Sequence, residues 1–141
     1  LTKVTLPSTV KSINDYAFEN KAFSQNFNKR KASTDHWMTF SVGSSACAMS
    51  VSQIRKYNNL IVEWYITDDK DLYKMFFSHK DEIENEVGFA LDWCELPDKK
   101  ASRIIAYLHD TDFEDKNAWS KQFDWVMDTA IKMKKAFKKY I

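Results

Sequence analysis

Residues that interrupt regular structure are scarce, since the chain of 141 residues holds 2 Gly and 2 Pro. That leaves little room for a low-complexity linker. With only Gly43 and Gly88 available, no glycine-rich loop that would cradle a phosphate can be built. Cysteine is equally rare: Cys47 and Cys94 have no second Cys or His at ligand spacing, so each reads as a small buried hydrophobe and fits a reducing cytoplasm. Long apolar runs are missing too. The longest span roughly six residues, as in Leu60 to Ile66 interrupted by Glu63, against the ~20 that a membrane-crossing helix needs. No basic n-region or continuous apolar h-region marks a signal peptide, and the leading Leu1 gives the expectation of a segment excised from a longer parent. A net charge of +1 supplies no global field to steer polyanions, so contact with nucleic acid would have to come from local patches.

What is present is a core. Hydrophobic residues make up 44% of the chain, with 5 Trp, 6 Tyr and 10 Phe, far above a disordered composition. At this length one domain buries roughly 68–70% of its unfolded surface without a disulfide staple. Residues 1–11, with Pro7 among Thr and Ser, read as a lead-in, and residues 12–141 as a single α+β domain.

Within that domain, Ser12 and Asp15 open a helix whose stripe is Ile13, Tyr16, Ala17, Ala22, Phe23 and Phe27. From His36 the period falls to two. Met38, Phe40 and Val42 form one strand, Gly43 to Ser45 a turn, and Cys47, Met49 and Val51 a second strand. After a turn at Tyr57 to Asn59, Leu60 to Ile66 is rich enough in β-branched and aromatic residues for a third. Thr67 to Asp69 cap one helix carrying Leu72, Phe76, Ile83 and Val87 and ending at Gly88. Strands at Leu91 to Leu96 and Ser102 to Leu108 follow, joined by a short connector. A last helix capped by Asn117 then carries Trp119, Phe123, Val126, Met127, Ala130, Met133, Phe137 and Ile141 on one stripe. The order α-βββ-α-ββ-α predicts a mostly antiparallel five-stranded sheet with helices on one face. Trp64 and Trp125 lie off or at the edge of the apolar stripes, which predicts partial exposure.

The segments DHWMTFSVG (Asp35 to Gly43), IVEWYI (Ile61 to Ile66), HKDEIENEVGFALDW (His79 to Trp93) and LPDKKASRI (Leu96 to Ile104) occur in that order. NAWSKQFDW and KKAFKKYI close the chain. Together they resemble a bacterial and archaeal family of domains of unknown function, DUF4268, over about Ile13 to Ile141. The resemblance implies a domain C-terminal to a restriction-endonuclease-like domain in a longer protein, with that domain and DNA as expected partners. It assigns no catalytic residue.

That context makes a nuclease core worth weighing, in which an Asp and a Glu hold a divalent ion and a Lys positions water. Pro97-Asp98 followed by Glu114-Asp115-Lys116 spells the pattern, but the intervening strand at ~3.3 Å per residue separates the acids by about 20 Å, beyond one ion's reach. Glu19 and Lys21 project roughly 200° apart on a helix and do not converge. Glu63, with Asp68 beyond the strand's end, is a possible functional carboxylate, although a one-sided sheet would place Glu63 in water. His36, His79 and His109 make no metal-ligand spacing, no nucleophile elbow is present, and no cofactor is expected.

Basic clusters remain. Lys29, Arg30 and Lys31 precede the first strand, and Lys99, Lys100 and Arg103 join the fourth and fifth, with Trp93 and Tyr107 as aromatic neighbours for stacking single-stranded nucleic acid. The C-terminal lysines, from Lys132 to Lys139, also complement a helix dipole and are read as a solvated surface. The expectation is a noncatalytic accessory module that contacts nucleic acid. The alternative is a protein-interaction or oligomerisation module that uses exposed Trp. An enzyme acting alone ranks last.

Overall fold

The computed structural model describes residues 37–54, 57–111 and 115–141. The lead-in, the first helix, the Lys29–Arg30–Lys31 cluster, His36 and Glu114 lie outside the described residues. Strands β1 (Trp37–Ser41), β2 (Cys47–Ile54), β3 (Asn59–Ile66), β4 (Asp92–Cys94) and β5 (Ser102–Leu108) form one antiparallel sheet in the order β1-β2-β3-β5-β4. Helices α1 (Lys70–Ser78) and α2 (Lys80–Val87) connect β3 to β4, and α3 (Trp119–Lys138) closes the chain. The predicted α+β class and five-stranded sheet are the ones found.

The alternation of β2, β3 and β5 sets the layers. Registers Met49↔Trp64, Val51↔Val62 and Trp64↔Ile104 put these side chains on one face, where the helices cover them. Phe137 of α3 stacks on Trp64 with ring centroids 4.8 Å apart, and Phe76 of α1 meets Phe137 edge-on at 4.9 Å. Burying such a side chain contributes about 1.5–3 kcal/mol. Trp64 is fully buried, contrary to the exposure expected from its phase. β3 is apolar on both faces, so the stripe alone does not say which face is the core, whereas the pairing does. Trp125 is half-buried and stacks on Phe89 at 6.5 Å.

Gly43, at φ +83° in the β1–β2 hairpin, needs the left-handed conformation, and a Cβ there would sit 3.0 Å from Lys138 Nζ. The single helix expected from Thr67 to Gly88 is two. Ser78 donates its hydroxyl to Met75 O at 2.6 Å, a local bond that competes with the helical ladder. His79 then turns the chain and stacks on Tyr140 at 4.2 Å. Asp69 caps α1 by accepting from Leu72 N at 3.0 Å, and Gly88 ends α2 in the left-handed conformation, both as expected. Asn117 is not the cap of α3. A 3-10 turn, Lys116–Ala118, leads into the helix, and Asp115 accepts from Asn117 N at 3.0 Å. β4 is shorter than the stretch Leu91 to Leu96, because Leu91 N turns aside to Glu84 and Leu96 takes φ +54°. Among the described residues no helix is long and apolar enough to cross a membrane.

Two polar side chains on the helix-covered side have opposite standing. Gln53 is 2% exposed, and neither amide atom has a hydrogen-bond partner among the described residues. Glu84 ties α2 to β4, accepting from Leu91 N at 2.8 Å and Trp93 Nε1 at 3.0 Å. Burial alone would raise its pKa, but those two bonds and the Lys80 ammonium at 3.7 Å outweigh it and hold the carboxyl below the ordinary glutamate value.

An unpaired buried amide costs about 1–3 kcal/mol, so Gln53→Met should raise the urea midpoint by the equivalent of about 1–2 kcal/mol at unchanged m-value. A lower midpoint would mean that the amide is bonded in solution. The folded-state pKa of Glu84 is the lower one, so its contribution is complete above the ordinary glutamate pKa of about 4.3 and is lost as pH falls through the folded value. Urea midpoints measured between neutral pH and pH 3 should therefore fall less steeply for Glu84→Gln than for the wild type.

Candidate functional site

Placing Trp64 in the core forces its neighbours Glu63 and Tyr65 onto the opposite face of the sheet. There they meet Thr39, Ser50 and Ser52 from β1 and β2 and Arg103 from β5, around a groove of about 610 Å³. Thr39 and Ser50 are cross-strand partners with hydroxyls 3.2 Å apart.

Glu63 is not in water on this face: it is 7% exposed. Tyr65 pairs with Arg103 and Glu63 with Ile105, which makes Arg103 a diagonal neighbour of Glu63, within reach of a long side chain. Arg103 Nε donates to Glu63 Oε2 at 2.5 Å and Nη2 to Oε1 at 3.2 Å. The Glu63 bond raises the Arg103 pKa further. A guanidinium has five N–H donors, and two are used here. The Nη1 edge has no partner among the described residues.

Arg103 therefore does not form one patch with Lys99 and Lys100, as sequence adjacency implied. Strand alternation aims it into the groove, while both lysines sit exposed on the β4–β5 connector. The register Ile66↔Ser102 places the connector at the same end of the sheet as Thr67, which also lines the groove. Lys70 holds the connector in place. Its ammonium donates to Glu95 O, to Leu96 O at 3.0 Å, to Ala101 O at 2.8 Å and to Ser102 Oγ at 3.0 Å. Ser102 Oγ in turn donates to Glu95 O at 2.8 Å. The sequence reading passed over Lys70. A cation in the first turn of a helix opposes the helix dipole, and that misfit was the available signal.

The other expected site residues are dispersed. Asp68 is exposed and does not line the groove, so it and Glu63 are not brought together. Trp93 faces the core, packing on Phe77 at 5.6 Å and Tyr73 at 6.3 Å. Tyr107 is on the groove side, its hydroxyl 3.2 Å from Asp92 Oδ2 and its ring stacked on His109 at 5.4 Å. Asp98 and Asp115 stand at opposite ends of β5, which keeps the nuclease-like string apart. Of the C-terminal lysines, Lys132 pairs with Asp128 at 2.9 Å and Lys139 with Glu86. Among the described residues no group of three His, Cys, Asp or Glu is placed to hold a metal ion. Burial raises the pKa of both Cys47 and Cys94, which keeps the thiols neutral.

A family model, "Domain of unknown function (DUF4268)", matches residues 11–141. No curated protein and no solved structure matches the chain.

The Lys70 ammonium is the main tie between α1 and the connector, and hydrogen bonds to a charged donor contribute about 1.5–3 kcal/mol. Lys70→Met should lower stability by that amount in urea unfolding. It should also speed amide hydrogen exchange at 98–101 well beyond the change at β2 and β3. A uniform change across the sheet would contradict the local role.

Proposed function

The chain belongs to the DUF4268 family, and we propose that it works as a noncatalytic accessory module of a nuclease-like protein, contacting DNA through the β4–β5 connector. The supporting observation is that connector itself. Lys70 fixes its backbone, Lys99 and Lys100 stand exposed on it, and neither ammonium is paired with a carboxylate among the described residues. Two cations on a rigid loop lose little freedom when they meet phosphates, unlike the ion-paired Lys132 and Lys139. The groove beside the connector, with Tyr65 and Arg103, offers the ring and planar cation on which single-stranded nucleic acid stacks. The nuclease-like neighbour rests on the family resemblance, and a reducing cytoplasm suits the free thiols of Cys47 and Cys94.

A protein-interaction role is the second reading, favoured by one patch. Phe89 is 37% exposed and stacks on half-buried Trp125. Interfaces are enriched in such aromatics.

Salt separates the two, because phosphate contacts weaken steeply as salt rises whereas apolar burial does not. Fluorescence anisotropy of labelled single-stranded DNA across a salt series should show salt-sensitive binding. Lys99→Ala/Lys100→Ala should reduce the slope of log K against log salt by about 1.4, since each phosphate contact on a single strand contributes about 0.7. Absence of binding at low salt with micromolar protein overturns the nucleic-acid reading and directs attention to the Phe89–Trp125 patch.

A further inference from the structure

We propose that the groove reads a guanine base of that single strand through the free edge of Arg103, an inference that rests on the nucleic-acid reading above and adds base preference to it. The Glu63 carboxylate engages the Nε side of the guanidinium and so fixes the plane of the whole fork. The remaining Nη1–Nη2 edge presents two parallel N–H donors from a side chain that is 37% exposed and lines the groove. Two acceptors side by side match such an edge, and guanine O6 and N7 are such a pair. Adenine sets a donor beside N7 and turns an N–H toward the fork.

Charge narrows the choice further. Glu63 neutralises Arg103, so a phosphate or carboxylate at the fork meets the carboxylate's repulsion with no net positive field to offset it. A neutral base incurs no such repulsion. Tyr65, the strand partner of Arg103, supplies a ring on the same face, and the groove's 610 Å³ falls within the roughly 300–1,000 Å³ of small-ligand sites. Phosphates belong instead at Lys99 and Lys100, at the connector end of the groove. A base must be unstacked to enter, which restricts the site to single strands.

The test compares wild-type protein on thymidine oligonucleotides that carry one central guanine, adenine or 7-deazaguanine, read by anisotropy. A bidentate contact gives roughly 5- to 150-fold preference for guanine over adenine, and 7-deazaguanine, lacking the N7 acceptor, loses most of it. Arg103→Lys keeps the charge opposite Glu63 and removes the fork, so it should abolish the preference while leaving salt-dependent binding. A thermal melt confirms that this variant is folded. Lys99→Ala/Lys100→Ala should weaken all three oligonucleotides alike and keep the preference. Equal affinity of the wild type for guanine and adenine overturns this inference and leaves the nucleic-acid reading standing. Preference surviving in Arg103→Lys places the reader elsewhere and also overturns it, and binding to none of the oligonucleotides overturns both.

Discussion

The register of β3 against β5 is the constraint on which both the core and the groove depend. With Trp64 opposite Ile104 and Val62 opposite Ala106, the aromatic cluster under α3 is assembled. The same register sets Tyr65 opposite Arg103 and carries the guanidinium to Glu63. A slip of one residue would turn Trp64 outward and bring Glu63 onto the helix-covered face, an unpaired charge among Phe76, Phe137 and Met49. The core's apolar demand and the groove's charge pair thus select one alignment, and each reinforces the other.

The ion pair is a poor source of net stability for the same reason that it is a good source of specificity. Taking a carboxylate to 7% exposure removes most of its hydration, and the bidentate bond to Arg103 offsets that loss rather than exceeding it. Stability is better sought on the other face, where Trp64, Phe76 and Phe137 interlock. Even there Gln53 subtracts, with a buried amide that no group among the described residues answers.

How far the sequence carries depends on whether the relevant partner is near in the chain. Period-two alternation gave the strands, and the Trp119 to Phe137 stripe gave α3, because both signals are local. Ser102 to Leu108 was legible to the residue. The α1–α2 break was not, since it arises from the Ser78 hydroxyl and from Tyr140, more than fifty residues further on. Arg103 was grouped with Lys99 and Lys100 by adjacency, yet it is the first strand residue but one, and alternation sends it to another surface. Glu63 was assigned to the correct face and the wrong environment: the period shows which side a residue takes but not what comes to cover it. Lys70 shows how a misfit could have been used, as a cation at the positive end of a helix dipole implies an unseen set of acceptors.

Charge is sorted over a short distance at this end of the sheet. On the strand, Arg103 is matched by Glu63, and the groove is lined largely by hydroxyls and small apolar groups without net charge. On the connector, Lys99 and Lys100 stand without a carboxylate partner among the described residues, held by a third lysine whose own charge is turned inward onto carbonyl oxygens. A ligand uniform in charge would use one of these zones and be indifferent to, or repelled by, the other. A nucleotide is not uniform: it carries a dense anion a few ångströms from a flat, neutral, hydrogen-bonding ring. The division between a neutral groove and a basic rim has the same polarity, and it follows from strand alternation at Arg103 and the turn that precedes it rather than from any excess of positive charge in the chain.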